Sequence, residues 1–322
     1  MKVSIIMPVY NAEKTLQRSL DSIKAQTFRD FEVVFADDCS TDGTGDMIKE
    51  FSESSGIPCR IVRAVRNGGV AAARNLGLEN ARGEFLAFVD ADDTIEPEAL
   101  EKAVNAADEA DADIVGWDWT LGFEKNGRYM RQYDYSTPLE ALKHLMGGTM
   151  RWNLWLFMFR RSLVEDIRFI PGANMGEDMM FTIKAFLKAR KVTQIHESLY
   201  GYNAVSTTSI SRQFSEERRA EVTRNIKETE TAVDASEYSE ELRDYVQYLK
   251  LYIKLPLLVS PDEESYRIWY SWFDSANAYA TKNKALPLRT RLLQWMAARS
   301  MWTGVKIYHL LVYKFVYGVI YR

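Results

Sequence analysis

The feature that most constrains the fold is an alternation of short apolar segments with amphipathic helical segments over residues 1–120. The apolar segments are bounded by turn-forming or charged residues, as buried strands of a parallel sheet are, and they cover residues 3–7, 31–36, 60–64, 84–89 and 113–119. Helices are predicted between them at 11–26 behind an Asn11 cap, at 42–53, at 69–81, and at 97–110 with Pro97 in its first turn. Strands that alternate with helices pair in parallel through right-handed crossovers. We therefore predict an α/β fold with a doubly wound sheet flanked by helices.

The pattern loosens after residue 120 and becomes helical and charged from about residue 214. Residues 125–128 contain the Asn-Gly pair of a hairpin turn between segments 117–123 and 129–135. Further helices are predicted at 138–146 and 177–189. A length of 322 residues is enough for one large α/β domain and an additional helical region.

Composition excludes several classes of protein. A net charge of -4 and a pI near 5.6 argue against a nucleic-acid-binding protein, whose binding surface is usually basic. The two cysteines, Cys39 and Cys59, cannot form a disulfide framework and favour a reducing cytosol. The N-terminal residues lack the pattern of a secretory signal. We expect a cytoplasmic protein.

Acidic residues follow two of the predicted strands. Asp37 and Asp38 come after the second strand, and Asp90 and Asp92 come after the fourth. Ligands of open α/β sheets bind beyond the carboxyl ends of the strands, where these carboxylates would repel each other. A bound Mg²⁺ or Mn²⁺ would offset the repulsion and could hold a phosphate. The alternative for the later pair is a solvated acidic turn before the helix at 97–110.

A glycine pair, Gly68 and Gly69, precedes the Ala-rich helical segment at 69–81. Their backbone N–H groups could face an anion, and the alternative is a tight turn with close packing of helix on sheet. No GxGxxG pattern follows the first strand, so the fingerprint of a dinucleotide-binding dehydrogenase is absent from that position.

Two long segments resemble the opening of family 2 glycosyltransferases: SIIMPVYNAEKTLQRSLDSIKAQTFRDFEVVFADDCSTDGT and VRNGGVAAARNLGLENARGEFLAFVDADD. The resemblance implies the GT-A fold, a nucleotide-sugar donor of the UDP type, a divalent metal and inversion at the anomeric carbon. It also implies roles for residues at matching positions. Donor-binding residues would be Pro8, Val9, Tyr10, Asp38, Gly69, Arg74, Asp90 and Asp92.

Within that set, residues 8–10 would line the pocket for the base, and Asp38 would accept a hydrogen bond from it. Arg74 would support the acidic site, and Asp92 would coordinate the ion that bridges the diphosphate. The alternatives are simple strand termination at residues 8 and 9 and a structural ion pair at Arg74. One departure from the family pattern is Cys39, which stands where a glycine is usual.

A later segment, Gly176-Glu177-Asp178-Met179-Met180-Phe181, is similar to the acidic motif of the same family. The resemblance makes Asp178 the general base that deprotonates the acceptor hydroxyl, with Glu177 beside it as a supporting or acceptor-binding residue. Trp152 falls in a weaker family segment near the acceptor site. The alternative for both acidic residues is stabilisation of a helix N-terminus. The three histidines lack metal-ligand spacing, which favours structural roles for them.

We predict a catalytic domain at 1–212, with a nucleotide-sugar half at about 1–95 and an acceptor half at about 96–212, followed by a helical region at 213–322. From Lys282 onward basic residues are interleaved with aromatic ones, which suits an anionic lipid surface at the inner face of the plasma membrane. The apolar run at 310–320 is too short to span a membrane. The alternative is a helix packed on the catalytic domain or on another subunit.

The function predicted from these residues is transfer of a sugar from a UDP-sugar to a hydroxyl of a glycan or lipid-linked oligosaccharide. Two alternatives remain. A sugar-nucleotide pyrophosphorylase would need a basic Gly-rich loop after the first strand, and PVYNAEKT does not supply one. A non-catalytic glycan-binding protein could keep the fold, although Asp92 and Asp178 argue against it.

Overall fold

The computed structural model describes residues 1–122, 126–203, 215–259 and 262–311. Nine strands lie in these ranges: β1 (Val3–Val9), β2 (Phe31–Asp37), β3 (Cys59–Arg63), β4 (Phe85–Phe88), β5 (Thr94–Ile95), β6 (Ile114–Gly122), β7 (Gly127–Met130), β8 (Phe157–Arg160) and β9 (Val192–Asn203).

The helices of the described ranges fall into two groups. Those up to residue 188 are α1 (Leu16–Lys24), α2 (Thr44–Ser54), α3 (Val70–Asn80), α4 (Ala99–Ala110), α5 (Pro138–Gly147), α6 (Arg161–Val164) and α7 (Glu177–Lys188). The later ones are α8 (Glu216–Asp234), α9 (Ser239–Lys254), α10 (Glu263–Ser271), α11 (Leu288–Ala298) and α12 (Trp302–His309).

All nine strands form one mixed sheet in the order β3-β2-β1-β4-β8-β6-β9-β5, and β7 pairs with β6. The first four strands of this order are parallel, as the alternating pattern predicts. β8 then runs antiparallel to both β4 and β6, and β6 pairs in parallel with β9. The predicted α/β class, with a mixed sheet flanked by helices, is confirmed. The fifth predicted strand becomes β6, which is separated from β4 by β8.

Burial follows the position of each strand in this order. Every residue of β2 is buried, and β1 is buried except at Pro8, because these strands have neighbours on both sides. β3 lies at the edge of the sheet and alternates between half-buried and exposed residues. α3 approaches β1 closely at Gly77, where an added Cβ would lie 2.4 Å from Ile6 Cγ2. This close approach sets the position of Arg74, one turn earlier on α3.

Two helix starts differ from the predicted ones. α1 begins at Leu16, preceded by Thr15, and Asn11 does not cap it. Asn11 has a φ of 47° instead, and its Oδ1 accepts a hydrogen bond of 2.8 Å from the Thr41 backbone N–H. α4 begins at Ala99, so Pro97 lies before the helix, where its carbonyl accepts from the Thr27 N–H at 2.9 Å. In both places a long-range hydrogen bond holds the residue outside the helix.

The chain divides into two compact units, one of residues 1–141 and 151–232 and one of residues 142–150 and 233 onward. The predicted boundary between residues 212 and 213 lies outside the described residues, and the division at that point stays a prediction. In the second unit Lys254 is fully buried, and its ammonium donates to the Trp272 carbonyl at 2.8 Å and to Asn277 Oδ1 at 2.6 Å. Among the described residues, none of the helices has the length and apolar character needed to span a bilayer.

Candidate active site

The acidic loop after β4 is fastened to α1 by polar side chains. Three side chains of α1 and one just after it hydrogen bond to the backbone of residues 92–96: Arg18 to the Asp92 carbonyl, Ser19 to the Asp93 carbonyl at 2.5 Å, Ser22 to the Ile95 N–H at 3.3 Å and Gln26 to the Glu96 carbonyl at 2.8 Å. Sequence reasoning missed these contacts. The available signal was a polar stripe at 18, 22 and 26 beside the apolar stripe of α1.

Asp38 organises the glycine loop that precedes α3. Its side chain is buried, and its two carboxylate oxygens accept hydrogen bonds from the N–H groups of Gly68 at 2.8 Å and Gly69 at 2.7 Å. A φ of 81° at Gly69 is a left-handed conformation that favours glycine. The two N–H groups thus donate to a carboxylate of the protein, which holds the loop in a tight turn. Roles of Asp38 and Gly69 in donor binding stay predictions.

The predicted pocket for the base lies at the carboxyl end of β1, beside the end of β2. Val9 is buried, its carbonyl accepts from the Asp38 N–H at 2.9 Å, and it therefore presents backbone to this edge. Pro8 is half-buried, whereas Tyr10 exposes 50% of its surface. The exposed ring of Tyr10 is the one large apolar surface that these three residues offer to a ligand.

Arg74 joins the loop after β4 to the start of α7. Its guanidinium is almost fully buried, and Nη1 donates to Glu177 Oε1 at 2.8 Å and to Asp178, while Nη2 lies 3.4 Å from Asp90 Oδ1. The structure thus brings together three predicted carboxylates from segments about 90 residues apart around one cation. α3 supplies the arginine, and the Gly77 contact with β1 holds α3 in place.

Burial, together with neighbouring carboxylates, raises the pKa of two of these groups. Desolvation is the main cause of the rise in the pKa of Glu177, with a further contribution from the charge of Asp178, and Arg74 opposes it. For Asp90, desolvation raises the pKa to about 6 against the opposing charge of Arg74, and the charges of Asp178 and Asp92 add to the rise. Burial and the neighbouring carboxylates together therefore outweigh the effect of the Arg74 charge on these two pKa values.

A third acidic group of the same loop, Asp93, was not predicted from the sequence. It is buried, and its carboxylate accepts from the Tyr200 hydroxyl at 2.8 Å and from the Asn203 N–H at 2.8 Å. Burial, with the charge of Asp90, raises the pKa of Asp93 to about 8. Asp93 ties the loop to β9, and the only sequence signal for it was a third aspartate after the Asp90-x-Asp92 pair.

For two further predicted residues, Asp92 and Trp152, the structure describes hydrogen bonds of the backbone carbonyl. Asp92 contributes charge to the neighbourhood of Asp90, while its backbone carbonyl binds Arg18. Trp152 is half-buried, and its carbonyl accepts from the Thr182 hydroxyl of α7 at 2.8 Å. Trp152 is therefore anchored to the helix that carries Glu177 and Asp178, and its role at an acceptor site stays a prediction.

The residues at the end of β4 supply carboxylate oxygens, which are the ligands that divalent ions such as Mg²⁺ prefer. Within the described residues, no group of three or more His, Cys, Asp and Glu side chains could hold a metal alone. Mg²⁺ is commonly bound through one or two carboxylates, and its remaining ligands are substrate phosphates and water. Asp90 and Asp92 supply carboxylates of this kind, in a cluster where the negative charge exceeds that of Arg74.

Two curated glycosyltransferases are similar to about two thirds of this chain. Glycosyltransferase GlyA of Streptococcus pneumoniae is 35% identical over 228 residues, which cover 67% of this chain and 32% of that protein. Poly(ribitol-phosphate) beta-N-acetylglucosaminyltransferase TarS of Staphylococcus aureus is 32% identical over 207 residues, which cover 63% of this chain and 35% of that protein. The chain therefore spans about a third of the length of these two curated relatives.

Solved structures show the fold. The crystal structure of residues 1–349 of S. aureus TarS with UDP-GlcNAc superposes with a TM-score of 0.75 and 23% identity, covering 97% of this chain and 91% of that one. Mannosyltransferase PcManGT of Pyrobaculum calidifontis, solved with GDP-Man and Mn²⁺, superposes with a TM-score of 0.56 and 19% identity, covering 96% of this chain and 85% of that one. The predicted GT-A fold is confirmed.

The family model described as Glycosyl transferase family 2 matches residues 4–180. This range includes β2, β3, β4 and nearly all of β1, together with the acidic loop after β4, Arg74 and the Glu177-Asp178 pair at the start of α7. Because the match covers more than half of the 322 residues, the chain belongs to glycosyl transferase family 2.

Proposed function

We propose that this protein is an inverting glycosyltransferase that transfers a sugar from a UDP-sugar to a hydroxyl of a glycan or a lipid-linked oligosaccharide. The observation that carries the proposal is the Arg74 cluster, which holds Asp178 beside the loop of Asp90 and Asp92. The UDP-GlcNAc complex of TarS supports a UDP-type donor. The poly(ribitol-phosphate) acceptor in the name of TarS supports a polymeric acceptor.

In the proposed reaction the acceptor oxygen attacks the anomeric carbon as the bond to the nucleoside diphosphate breaks. Asp178 accepts the hydroxyl proton, and its ion pair with Arg74 holds the carboxylate in place for this transfer. Asp90 and Asp92 would hold a divalent ion, Mn²⁺ or Mg²⁺, which when bound stabilises negative charge on the departing diphosphate. Tyr10 covers the base, and Glu177 keeps Arg74 and Asp178 aligned.

A thermal-shift screen of nucleotide sugars with and without Mn²⁺ tests the proposed function. A donor at about 100 times its dissociation constant should stabilise the protein by about 2.7 kcal/mol. UDP-sugars are expected to raise the melting temperature more than GDP-sugars do, and Mn²⁺ should increase the shift. Stabilisation by free glycans alone would favour the non-catalytic alternative, and turnover of a sugar phosphate with a nucleoside triphosphate would favour the pyrophosphorylase.

Asp92→Asn should uncouple the metal from the donor, because one ion would contact both the Asp92 carboxylate and the diphosphate. We expect this substitution to weaken UDP binding by about 10-fold or more in Mn²⁺ and by much less in EDTA, as loss of a metal contact does. Calorimetry in both conditions makes the measurement, and Asp134→Asn, at an exposed aspartate, is the matched control. Equal losses in Mn²⁺ and EDTA would contradict a metal-binding role for Asp92.

We further propose peripheral contact with an anionic membrane surface through the outer faces of α11 and α12. Leu288, Leu292, Ile307, Leu310 and Leu311 are exposed on or next to these helices. No acidic residue follows Asp274, whereas basic residues are spread over the same region: Lys282, Lys284, Arg289, Arg291, Arg299 and Lys306. Part of the predicted membrane segment, residues 312–322, lies outside the described residues.

Liposome flotation should show binding to anionic vesicles that weakens as salt rises, because each basic group adds about 1 kcal/mol near such a surface. Serine at both Leu288 and Leu292 should reduce binding, since the apolar face supplies the remainder by burial. Val65→Ser is the matched control, because Val65 is fully exposed in the other unit. A protein that never floats and sediments as a dimer would show that a second copy covers this face.

A further inference from the structure

The loop that leads into α7 is held by α8. Asn225 of α8 is completely buried, and its Nδ2 donates to the carbonyls of Ala173 at 3.2 Å and Met175 at 2.9 Å. One residue earlier on α8, the Arg224 guanidinium donates to the Gly172 carbonyl. Three carbonyls of one short loop are therefore bound by two neighbouring side chains of the same helix.

The same loop is held from its other side by α3. Asn174 Oδ1 accepts a hydrogen bond of 3.1 Å from the Ala71 N–H in the first turn of α3. The Asn174 amide also lies against Gly69, where an added Cβ would come within 2.4 Å of it. Asn174 thus touches the glycine turn that Asp38 organises, and the loop connects that turn to the first residues of α7.

The position of α7 depends on this loop because Gly176 ends it. Gly176 has a φ of 79°, a left-handed conformation, and Glu177 and Asp178 follow as the first residues of the helix. Val222 and Asn225 are the parts of α8 nearest to Gly176, with Val222 Cγ2 3.8 Å from where a Cβ would lie. A shift of the loop would therefore move Asp178 relative to Arg74.

We propose that Asn225 is a positioning residue for the general base, acting through the loop at 172–176 to set where Asp178 meets the acceptor hydroxyl. This inference rests on the proposed function of Asp178. Asn225 Oδ1 is buried and has no partner among the described residues, so the donating Nδ2 is the group that ties the loop. A buried oxygen without a hydrogen-bond partner lowers the stability of the folded protein. Asn225 nevertheless occupies this site, where its Nδ2 donates two hydrogen bonds to one loop.

Two substitutions of similar size separate positioning from packing. Asn225→Leu removes both donated hydrogen bonds and keeps an apolar side chain of comparable volume. Asn225→Asp keeps the shape but places a carboxylate against two carbonyl oxygens, and protonation restores one donor. Thr229→Val is the matched control, because Thr229 is buried one turn further along α8 and its hydroxyl donates to the Asn225 carbonyl at 2.8 Å and not to the loop at 172–176.

The measurements are UDP release from UDP-GlcNAc, UDP affinity by calorimetry and melting temperature. We expect Asn225→Leu to lower kcat by about 10- to 100-fold, since small misplacements of a reacting group have costs of this size. UDP affinity should change by less than about twofold, and Thr229→Val should resemble wild type. For Asn225→Asp, the kcat relative to wild type should rise as the pH falls, whereas for Asn225→Leu it should not.

A double variant tests whether Asn225 acts through Asp178. In the Asp178→Asn background, Asn225→Leu should cause little further loss, because residues that act as one unit are not additive. A folded Asn225→Leu protein with wild-type kcat, or an equal fold-loss in both backgrounds, would overturn the positioning role. If Asp178→Asn itself turns over like wild type, the proposed function of Asp178 fails and not the contact between α8 and the loop.

Hydrogen exchange tests the contact without any turnover. Amides at 172–180 should exchange faster in Asn225→Leu than in wild type, while those of β1 and β2 should be unchanged. Unchanged amide exchange at 172–180 in Asn225→Leu would overturn the proposal. This measurement does not depend on enzyme turnover.

Discussion

Asp178→Asn is expected to lower kcat by about 10²- to 10⁴-fold, the usual contribution of a positioned general base. The amide keeps the size of the side chain but cannot take the proton of the acceptor hydroxyl. UDP affinity should stay within a few fold, because the partner of Asp178 in the proposed reaction is the acceptor and not the nucleotide. Steady-state kinetics of UDP release and calorimetry with UDP measure the two quantities separately.

The matched control for this substitution is Asp166→Asn in the same unit. Asp166 is exposed and pairs with Lys188 at the end of α7, so its loss should leave kcat unchanged. An Asp178→Asn protein with wild-type turnover would place the base elsewhere. If UDP affinity fell in parallel with kcat, Asp178 would act in donor binding.

Arg74→Met is expected to reduce the free energy of unfolding by about 3–5 kcal/mol near neutral pH, the range for removal of one partner from a buried ion pair. Asp90, Glu177 and Asp178 would lose the guanidinium that faces all of them. Urea denaturation measures the loss. Arg131→Met is the matched control, and because both Arg131 and its partner Asp134 are exposed, it should cost less than about 1 kcal/mol.

The loss of unfolding free energy caused by Arg74→Met should become smaller as the pH falls. In the wild-type protein the pKa of Glu177 already lies above its usual value, and Arg74 opposes that rise. Without Arg74 the pKa of the folded-state carboxyl rises further above that of the unfolded state. The folded variant therefore takes up protons that the unfolded chain does not, so it gains stability relative to wild type as the pH falls through the raised pKa of this carboxyl. A deficit independent of pH would mean that lost packing, and not charge, causes it.

The α/β class of the sheet could be predicted because the first half of the chain shows it in local sequence patterns. Each of β1, β2 and β4 is an apolar run with neighbours on both sides, and the helices between them carry apolar stripes. Periodicity and the turn residues at strand ends depend on neighbours in sequence, so they are visible without any tertiary contact. For the same reason, the acidic residues at the ends of β2 and β4 could be identified from the sequence.

The order of the second half of the sheet could not be predicted in this way. β8 lies between β4 and β6, and it pairs with β4 residues more than 70 positions earlier in the chain and with β6 residues more than 40 positions earlier. Its first three residues, Phe157 to Phe159, form a short apolar run that periodicity alone does not distinguish from a buried helix. Helix starts at Leu16 and Ala99 were also set by hydrogen bonds to distant loops.

The sequence by itself determined the family, the parallel strands and the identity of the acidic residues, because these reside in local patterns and in a long motif. Only the tertiary structure decided which charges meet. Arg74 contacts Glu177 across 103 positions of sequence, and Asn225 contacts the loop before Asp178 across about 50. The packing of α3, α7 and α8 determines which of these distant residues come into contact. Burial and neighbouring charge in the packed structure then raise the pKa values of Asp90, Asp93 and Glu177.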